Sequence, residues 1–88
     1  MRRVAVTGLG IVSPLGIGTD RCWKAAVEGR SGIRAITRFD AAGFPVRIAG
    51  EVPDFDPLAF IEKKDIKKMD RFIQYAVAAS VMAMDDSG

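Results

Sequence analysis

The sequence predicts an α/β fold, in which helices cover a sheet, and three stretches of the chain carry this prediction. In residues 3–7, valine alternates with small or β-branched side chains, a pattern typical of a strand buried on both faces. In residues 46–52, apolar and charged side chains alternate, as in a strand with one exposed face. In residues 69–85, apolar side chains recur three and four positions apart, as on one side of a helix.

A glycine-rich loop follows the first predicted strand. We expect Gly8 and Gly10 to let the chain turn sharply off that strand, and Gly16 to lie in the same loop. The glycine pair also matches the first half of the dinucleotide-binding pattern G-x-G-x-x-G, but Ser13 stands at the third glycine position and Pro14 follows it. Proline delays the next helix, so no helix N-terminus points back at the glycines. The loop therefore does not predict a phosphate site.

The first helix is predicted to begin at Thr19 or Asp20, either of which can cap it, and to continue to about Glu28. Gly29 stands where a helix commonly ends in the left-handed conformation. The predicted apolar face of this helix comprises Trp23, Ala26 and Val27. The order strand, loop, helix is typical of the start of an α/β domain.

The remainder of the chain is predicted to contain a loop, the half-exposed strand and two helices. Residues 30–45 lack a clear period and are predicted to form an ordered loop. Asp56 followed by Pro57 predicts the start of a short helix. The long helix over residues 69–85 is apolar around most of its circumference, so it should contact protein on several sides. We therefore interpret residues 1–88 as the N-terminal segment of a larger domain, incomplete by itself.

Composition narrows the classes of function. The 88 residues are 49% hydrophobic and 27% charged, as in globular proteins, and the net charge of +2 does not indicate a nucleic-acid partner. The first residues contain too few apolar side chains for a secretory signal or a membrane span, so we expect a cytoplasmic protein. With one cysteine, Cys22, and no histidine, the chain can form neither an intramolecular disulfide nor a Cys/His nucleophile pair.

Four motifs in order, "VAVTGLGIVSPLG", "GRSGI", "ITRFDAAGFPVRIAGEV" and "KKMDRFIQYAVAAS", resemble the N-terminal part of the β-ketoacyl-acyl carrier protein synthases, most closely the elongating synthase II branch. This resemblance implies a thiolase-like fold, a five-layer αβαβα sandwich of two related halves, with residues 1–88 in the first half. It also implies a homodimer that performs decarboxylative Claisen condensation without a metal or an organic cofactor.

The family's catalytic residues, a nucleophilic cysteine and two histidines, match no position in this chain. Cys22 lies in the first turn of the first predicted helix and matches no catalytic motif, so we interpret it as a small packing side chain. The resemblance therefore assigns the condensation chemistry to the parent enzyme and no catalytic residue to residues 1–88. Some relatives are non-catalytic partner subunits, the chain-length factors of polyketide pathways, and that alternative remains open, as does a polyketide ketosynthase.

The resemblance does assign a partner-binding role to a basic stretch. Residues 63–71 carry five basic and two acidic side chains, a net charge of +3. In the family, basic residues here contact the acidic acyl carrier protein, and Lys64, Lys67 and Lys68 match those positions. Charge of this kind steers a charged partner toward its site. An ordinary solvated surface before a helix is the alternative, and RNA binding is less favoured because no glycine-aromatic RNA-binding motif is present.

Overall fold

A computed structural model describes residues 2–88, which form two small antiparallel sheets and three α-helices. The elements in chain order are β1 (Val12–Ser13), β2 (Gly16–Ile17), α1 (Thr19–Val27), β3 (Ile33–Ala35), β4 (Ile48–Gly50), a 3₁₀ helix (Pro57–Ala59), α2 (Lys63–Ile66) and α3 (Arg71–Ser87). Strand β1 pairs with β2 and strand β3 pairs with β4. The fold is mixed α/β, as predicted.

Residues 3–7, predicted to form a buried strand, pair with no strand within the described part of the chain. Val4 and Val6 are 91% and 78% exposed. Alternation of side chains identifies a segment that suits a sheet, but a strand forms only where a neighbour accepts its backbone hydrogen bonds. The prediction is therefore wrong for residues 2–88 taken alone, and the first sheet begins instead at β1.

Gly8 and Gly10 lie directly against the backbone of helix α3. A Cβ atom added at Gly10 would lie 2.8 Å from the amide nitrogen of Ala83, and one added at Gly8 would lie 2.8 Å from that of Ser87. Each would also collide with a backbone carbonyl oxygen of α3. Neither glycine has a positive φ, and residues 8–10 form neither a turn nor a bend, so the expected role in a sharp turn is wrong. These positions need glycine because two backbones approach closely.

Helix α1 begins at Thr19 as predicted, but Gly18 is its N-cap residue and no side chain caps it. Gly18 has a φ of 100° and donates its amide to the Ile11 carbonyl at 2.8 Å, which ties the helix start to the residue before β1. At the other end, Gly29 has a φ of 75°, as expected after a helix C-terminus. The late start of α1 is therefore confirmed.

The buried face of α1 differs from the predicted one. Cys22 and Ala25 are buried, whereas Trp23 and Val27 are 71% and 67% exposed. The Sγ atom of Cys22 lies 3.0 Å from the Ser13 hydroxyl oxygen and 3.2 Å from the Gly16 carbonyl oxygen. Small side chains therefore let α1 pack on the β1–β2 hairpin, and the interpretation of Cys22 as a packing residue is confirmed.

Strands β3 and β4 form a hairpin that is tied to helix α3 by Arg38. Strand β4 lies inside the predicted strand over residues 46–52, whereas β3 falls in the predicted loop over residues 30–45. The Glu51 carboxylate accepts hydrogen bonds from the Thr37 hydroxyl at 2.8 Å and from the Arg38 amide at 3.2 Å. The Arg38 guanidinium donates to the Tyr75 hydroxyl of α3 at 3.0 Å and lies 4.0 Å from Glu51.

Helix α3 occupies Arg71–Ser87, within two residues of the predicted bounds. Ala78 is fully buried on its inner side, and the outer side exposes Phe72 and Met84, which are 70% and 72% accessible. Its apolar side chains line an open groove of about 490 Å³, formed mainly by Phe72, Ile73, Ala76, Val77, Ser80, Val81 and Met84. These residues recur three and four positions apart, as the predicted helix requires, and within residues 2–88 nothing covers them.

We expect Gly10→Ala to destabilise the protein, because the added methyl group must displace the backbone of α3. Overpacking of this kind costs about 1–3 kcal/mol. Urea-induced unfolding of the full-length protein measures the change in free energy. Gly43→Ala is the matched control, since a Cβ there meets nothing within 4 Å and should change stability by less than about 1 kcal/mol. Equal effects at both positions would contradict the close-contact interpretation.

Glu51, Thr37 and Arg38 form a hydrogen-bonded cluster, the Glu51 cluster, which should stabilise the folded protein at pH values above the acidic range. The hydroxyl hydrogen bond from Thr37, with the amides of Thr37 and Arg38, lowers the pKa of Glu51 below its usual 4.5. A carboxyl with a lowered pKa in the folded state stabilises that state above its unfolded pKa, and this contribution is lost as the pH falls through the folded pKa. We therefore expect the melting temperature of Glu51→Gln to fall less than that of the wild type between about pH 6 and pH 3.

Thr37→Val, which keeps the shape of the side chain and removes its hydroxyl, should show a smaller change in the same direction. A Glu51→Gln variant with the acid dependence of the wild type would show that the cluster does not favour the ionised carboxylate.

Candidate functional site

The basic segment, residues 63–71, covers α2, the turn that follows it and the first residue of α3. All five of its cationic side chains are exposed: Lys63, Lys64, Lys67, Lys68 and Arg71. The three residues matched by the carrier-docking resemblance therefore lie on the surface, Lys64 on α2 and Lys67 and Lys68 in the turn. A macromolecular partner can reach each of them.

Among the three matched lysines, the positive charge is least compensated at the two in the turn. The Lys64 ammonium lies 3.4 Å from the Glu62 carboxylate, in an exposed ion pair. Lys67 and Lys68 have no carboxylate oxygen within 4.0 Å in the part of the chain that the structure describes. An exposed ion pair is weak, but it reduces the field that a lysine presents to an approaching anion. The two turn lysines are therefore the stronger candidates for contacts with an acidic partner.

An aromatic cluster fixes the segment that leads into α2. The rings of Phe55 and Phe60 stack with centroids 6.3 Å apart, and Phe55 meets Tyr75 of α3 edge to face at 4.9 Å. Between them, Asp56 caps the 3₁₀ helix by accepting the Leu58 amide at 3.1 Å, as its sequence predicted. Edge-to-face contacts of this kind add to the stabilisation from buried apolar area. The chain that leads into the basic segment is therefore held against α3 by aromatic contacts.

Tyr75 connects this aromatic cluster to Arg38. Burial raises the pKa of Tyr75, but the hydrogen bond from Arg38 and the positive charges of Arg38 and Arg71 together lower it below 10.0. Through this phenol, the β3–β4 hairpin and the basic segment contact the same turn of α3. Helix α3 therefore fixes the position of both the β3–β4 hairpin and the basic segment.

Sequence reasoning missed Gln74, which is buried although it is polar. Its side-chain amide donates to the Met69 carbonyl at 3.1 Å and to the Ile66 carbonyl at 3.4 Å. The available signal was a single glutamine amid the apolar residues of the long helix, one turn after Asp70. A buried amide must find hydrogen-bond partners, and here they are the two carbonyls that flank the turn lysines.

The structure bears on three other kinds of site. At the glycine pair, the Leu9 amide donates to the Asp86 carboxylate at 2.9 Å, so a side chain of α3 already occupies the place of an anion. Within residues 2–88, no cluster of three or more histidine, cysteine or acidic side chains could hold a metal ion. No helix in that range combines the length and apolar character that crossing a membrane requires.

Comparison with known proteins identifies the family. The family model described as "Beta-ketoacyl synthase, N-terminal domain" matches residues 1–88. The chain is 54% identical over 87 residues to a 3-oxoacyl-[acyl-carrier-protein] synthase 2 of Vibrio harveyi, covering 99% of the chain and 21% of that relative. It is 47% identical over 85 residues to the tetracenomycin polyketide synthase ketoacyl synthase beta subunit of Streptomyces glaucescens, covering 97% of the chain and 21% of that relative.

A solved structure shows the same fold. "The ishigamide ketosynthase/chain length factor" superposes with a TM-score of 0.89 at 48% identity, covering 99% of this chain and 22% of that one. The predicted fold class, an α/β portion of the thiolase-like ketosynthase fold, is thereby confirmed, and so is the resemblance to synthase II. The chain spans about a fifth of the length of the relatives that it matches. Residues 1–88 belong to the β-ketoacyl synthase family, within its N-terminal domain.

Proposed function

We propose that residues 1–88 are the N-terminal part of a 3-oxoacyl-[acyl-carrier-protein] synthase II, which extends acyl chains by decarboxylative Claisen condensation with malonyl-acyl carrier protein. The observation that carries the proposal is the 54% identity to a synthase of that name across 99% of the chain. The four motifs of the sequence lie within these aligned residues and agree with it. The segment is an incomplete part of its domain, and the parent enzyme is a cytoplasmic homodimer.

The condensation itself depends on residues outside this segment. The reaction needs a thiolate to capture the acyl group and donors to stabilise the charge that develops on oxygen. Cys22 cannot supply the thiolate, because it is 6% exposed and its Sγ atom is enclosed by the Ser13 hydroxyl and the Gly16 carbonyl. The segment also contains no histidine. Its contribution is therefore structural, together with binding of the substrate carrier.

The carrier-binding part of the proposal rests on Lys64, Lys67 and Lys68. All three side chains are exposed, and they belong to a segment with a net charge of +3. An acidic carrier protein would be drawn to this surface over several ångströms, which raises the rate of encounter at low salt. Since Glu62 is paired with Lys64, Lys67 and Lys68 should contribute most.

We expect the double variant Lys67→Glu/Lys68→Glu of the full-length enzyme to raise the KM for carrier-bound acyl substrates by roughly tenfold or more at low ionic strength. The effect should shrink as salt is added, because screening weakens charge steering. Steady-state kinetics at several salt concentrations measure it.

Lys24→Glu is the matched control, since Lys24 is an exposed lysine on α1 outside the basic segment. It should leave the KM for carrier-bound substrates unchanged. If the double variant also kept the wild-type KM at low salt, residues 67 and 68 would have no part in carrier docking.

A second candidate function is that of a non-catalytic partner subunit in a polyketide pathway. Two similarities favour it, the 47% identity to a ketoacyl synthase beta subunit and the structural match to a protein named for a ketosynthase and a chain length factor. A condensation assay of the purified full-length protein with acyl- and malonyl-carrier substrates separates the two. Turnover by the protein alone supports the synthase, and activity only with a second ketosynthase subunit supports the partner role.

A further inference from the structure

The turn between α2 and α3 places Lys67 and Lys68 side by side. Within the turn, the Lys68 amide donates to the Asp65 carbonyl at 3.0 Å, and the Met69 amide donates to the Ile66 carbonyl at 3.2 Å. These bonds close the turn on itself. They do not fix its orientation relative to α3, on which the direction of both lysine side chains depends.

Gln74 supplies that connection. It lies in the first turn of α3, where its backbone amide donates to the Asp70 carbonyl at 3.1 Å. Its side-chain nitrogen donates to the Met69 carbonyl at 3.1 Å and to the Ile66 carbonyl at 3.4 Å. The two acceptors stand immediately before and after the lysine pair. One amide group therefore holds both ends of the lysine turn against the helix.

Burial distinguishes Gln74 from an ordinary surface glutamine. It is 8% exposed and is the one buried polar side chain among residues 2–88. Ala78, one turn further along α3, is fully buried and purely apolar. Burying an amide costs free energy unless it is hydrogen-bonded, and both hydrogen bonds of the Gln74 side chain go to the lysine turn. The amide is used for the lysine turn and for no group of the apolar core.

We propose that Gln74 is a positioning residue for carrier recognition, which fixes the turn of Lys67 and Lys68 in its binding orientation before the carrier arrives. The inference rests on the proposed docking function of these lysines. Association loses less free energy when the contact groups are ordered beforehand. Two long lysine side chains on a fixed backbone therefore bind an acidic surface more tightly than the same side chains on a mobile one.

The test is Gln74→Met in the full-length enzyme, because methionine keeps the length of the side chain and loses both donor hydrogens. We expect the KM for a carrier-bound acyl substrate to rise roughly three- to tenfold with kcat unchanged. The KM for a carrier-free acyl-pantetheine thioester should stay the same. The Met69 amide should exchange its hydrogen faster, since the turn is no longer held from α3.

Ala78→Gly is the control for a purely structural effect, since it weakens α3 one turn away without touching the lysine turn. It should lower the melting temperature and leave the ratio of the two KM values unchanged. In the Lys67→Ala/Lys68→Ala background, Gln74→Met should produce no further rise in the KM for the carrier-bound substrate, because coupled residues are not additive.

An equal rise in both KM values, which indicates general damage, would overturn the inference. A full Gln74→Met effect without the two lysines would also overturn it. If Lys67→Ala/Lys68→Ala itself leaves the KM for the carrier-bound substrate unchanged, docking at the turn fails and the inference falls with it. If that variant raises the KM while Gln74→Met does not, docking stands and only the role of Gln74 is refuted.

Discussion

The N-terminal segment meets helix α3 backbone to backbone, and this contact requires glycine at positions 8 and 10. Any side chain at either position would collide with a carbonyl oxygen of the helix. The contact is reinforced by the Leu9 amide, which binds the Asp86 carboxylate. From there the Gly18 amide, bonded to the Ile11 carbonyl, sets the start of α1. Helices α1 and α3 are thus positioned by one glycine-lined contact, and the motif that resembles a phosphate loop is a packing motif.

The helices could be predicted from sequence because their signals are local. Periodicity and the Asp56–Pro57 pair gave α3 and the 3₁₀ helix within two residues, since hydrogen bonds inside a helix need no distant partner. Residues 3–7 were predicted wrongly because strand pairing depends on a neighbour that periodicity cannot show. Strand β3 was missed for a related reason, since its three residues are too few to show a period and form a strand only by pairing with β4. The buried face of α1 was assigned to its largest apolar residues, whereas close packing on the hairpin selects Cys22 and Ala25.

The candidate site, like the fold, has some features that sequence predicts and others that only the structure shows. The charge of the basic segment is a property of composition, so its lysines could be located from sequence, and the resemblance predicts an acyl carrier protein as their partner. The ion pair of Lys64 with Glu62 and the hydrogen bonds of Gln74 depend on side-chain geometry, and they rank the lysines in a way that sequence could not. The two turn lysines combine charge without an ion-pair partner among the described residues with a backbone that Gln74 holds against α3. Those two properties favour, respectively, fast encounter and a low ordering cost on binding.

The distribution of apolar surface explains why the basic segment is suited to a partner. The buried side chains of residues 2–88 are small apart from Ile61 and Gln74, while Val4, Val6, Phe72 and Met84 are largely exposed. Apolar surface of this extent is stable in water only when covered, and relatives of this chain are nearly five times as long. This supports our proposal that the segment belongs to a larger domain, whose remaining layers would cover the groove of α3. The basic segment is different, because burying its five cations, of which only Lys64 has a carboxylate partner within residues 2–88, would cost far more free energy than it gained. Within the complete protein it would therefore stay on the surface, held in place by Gln74 and the aromatic cluster.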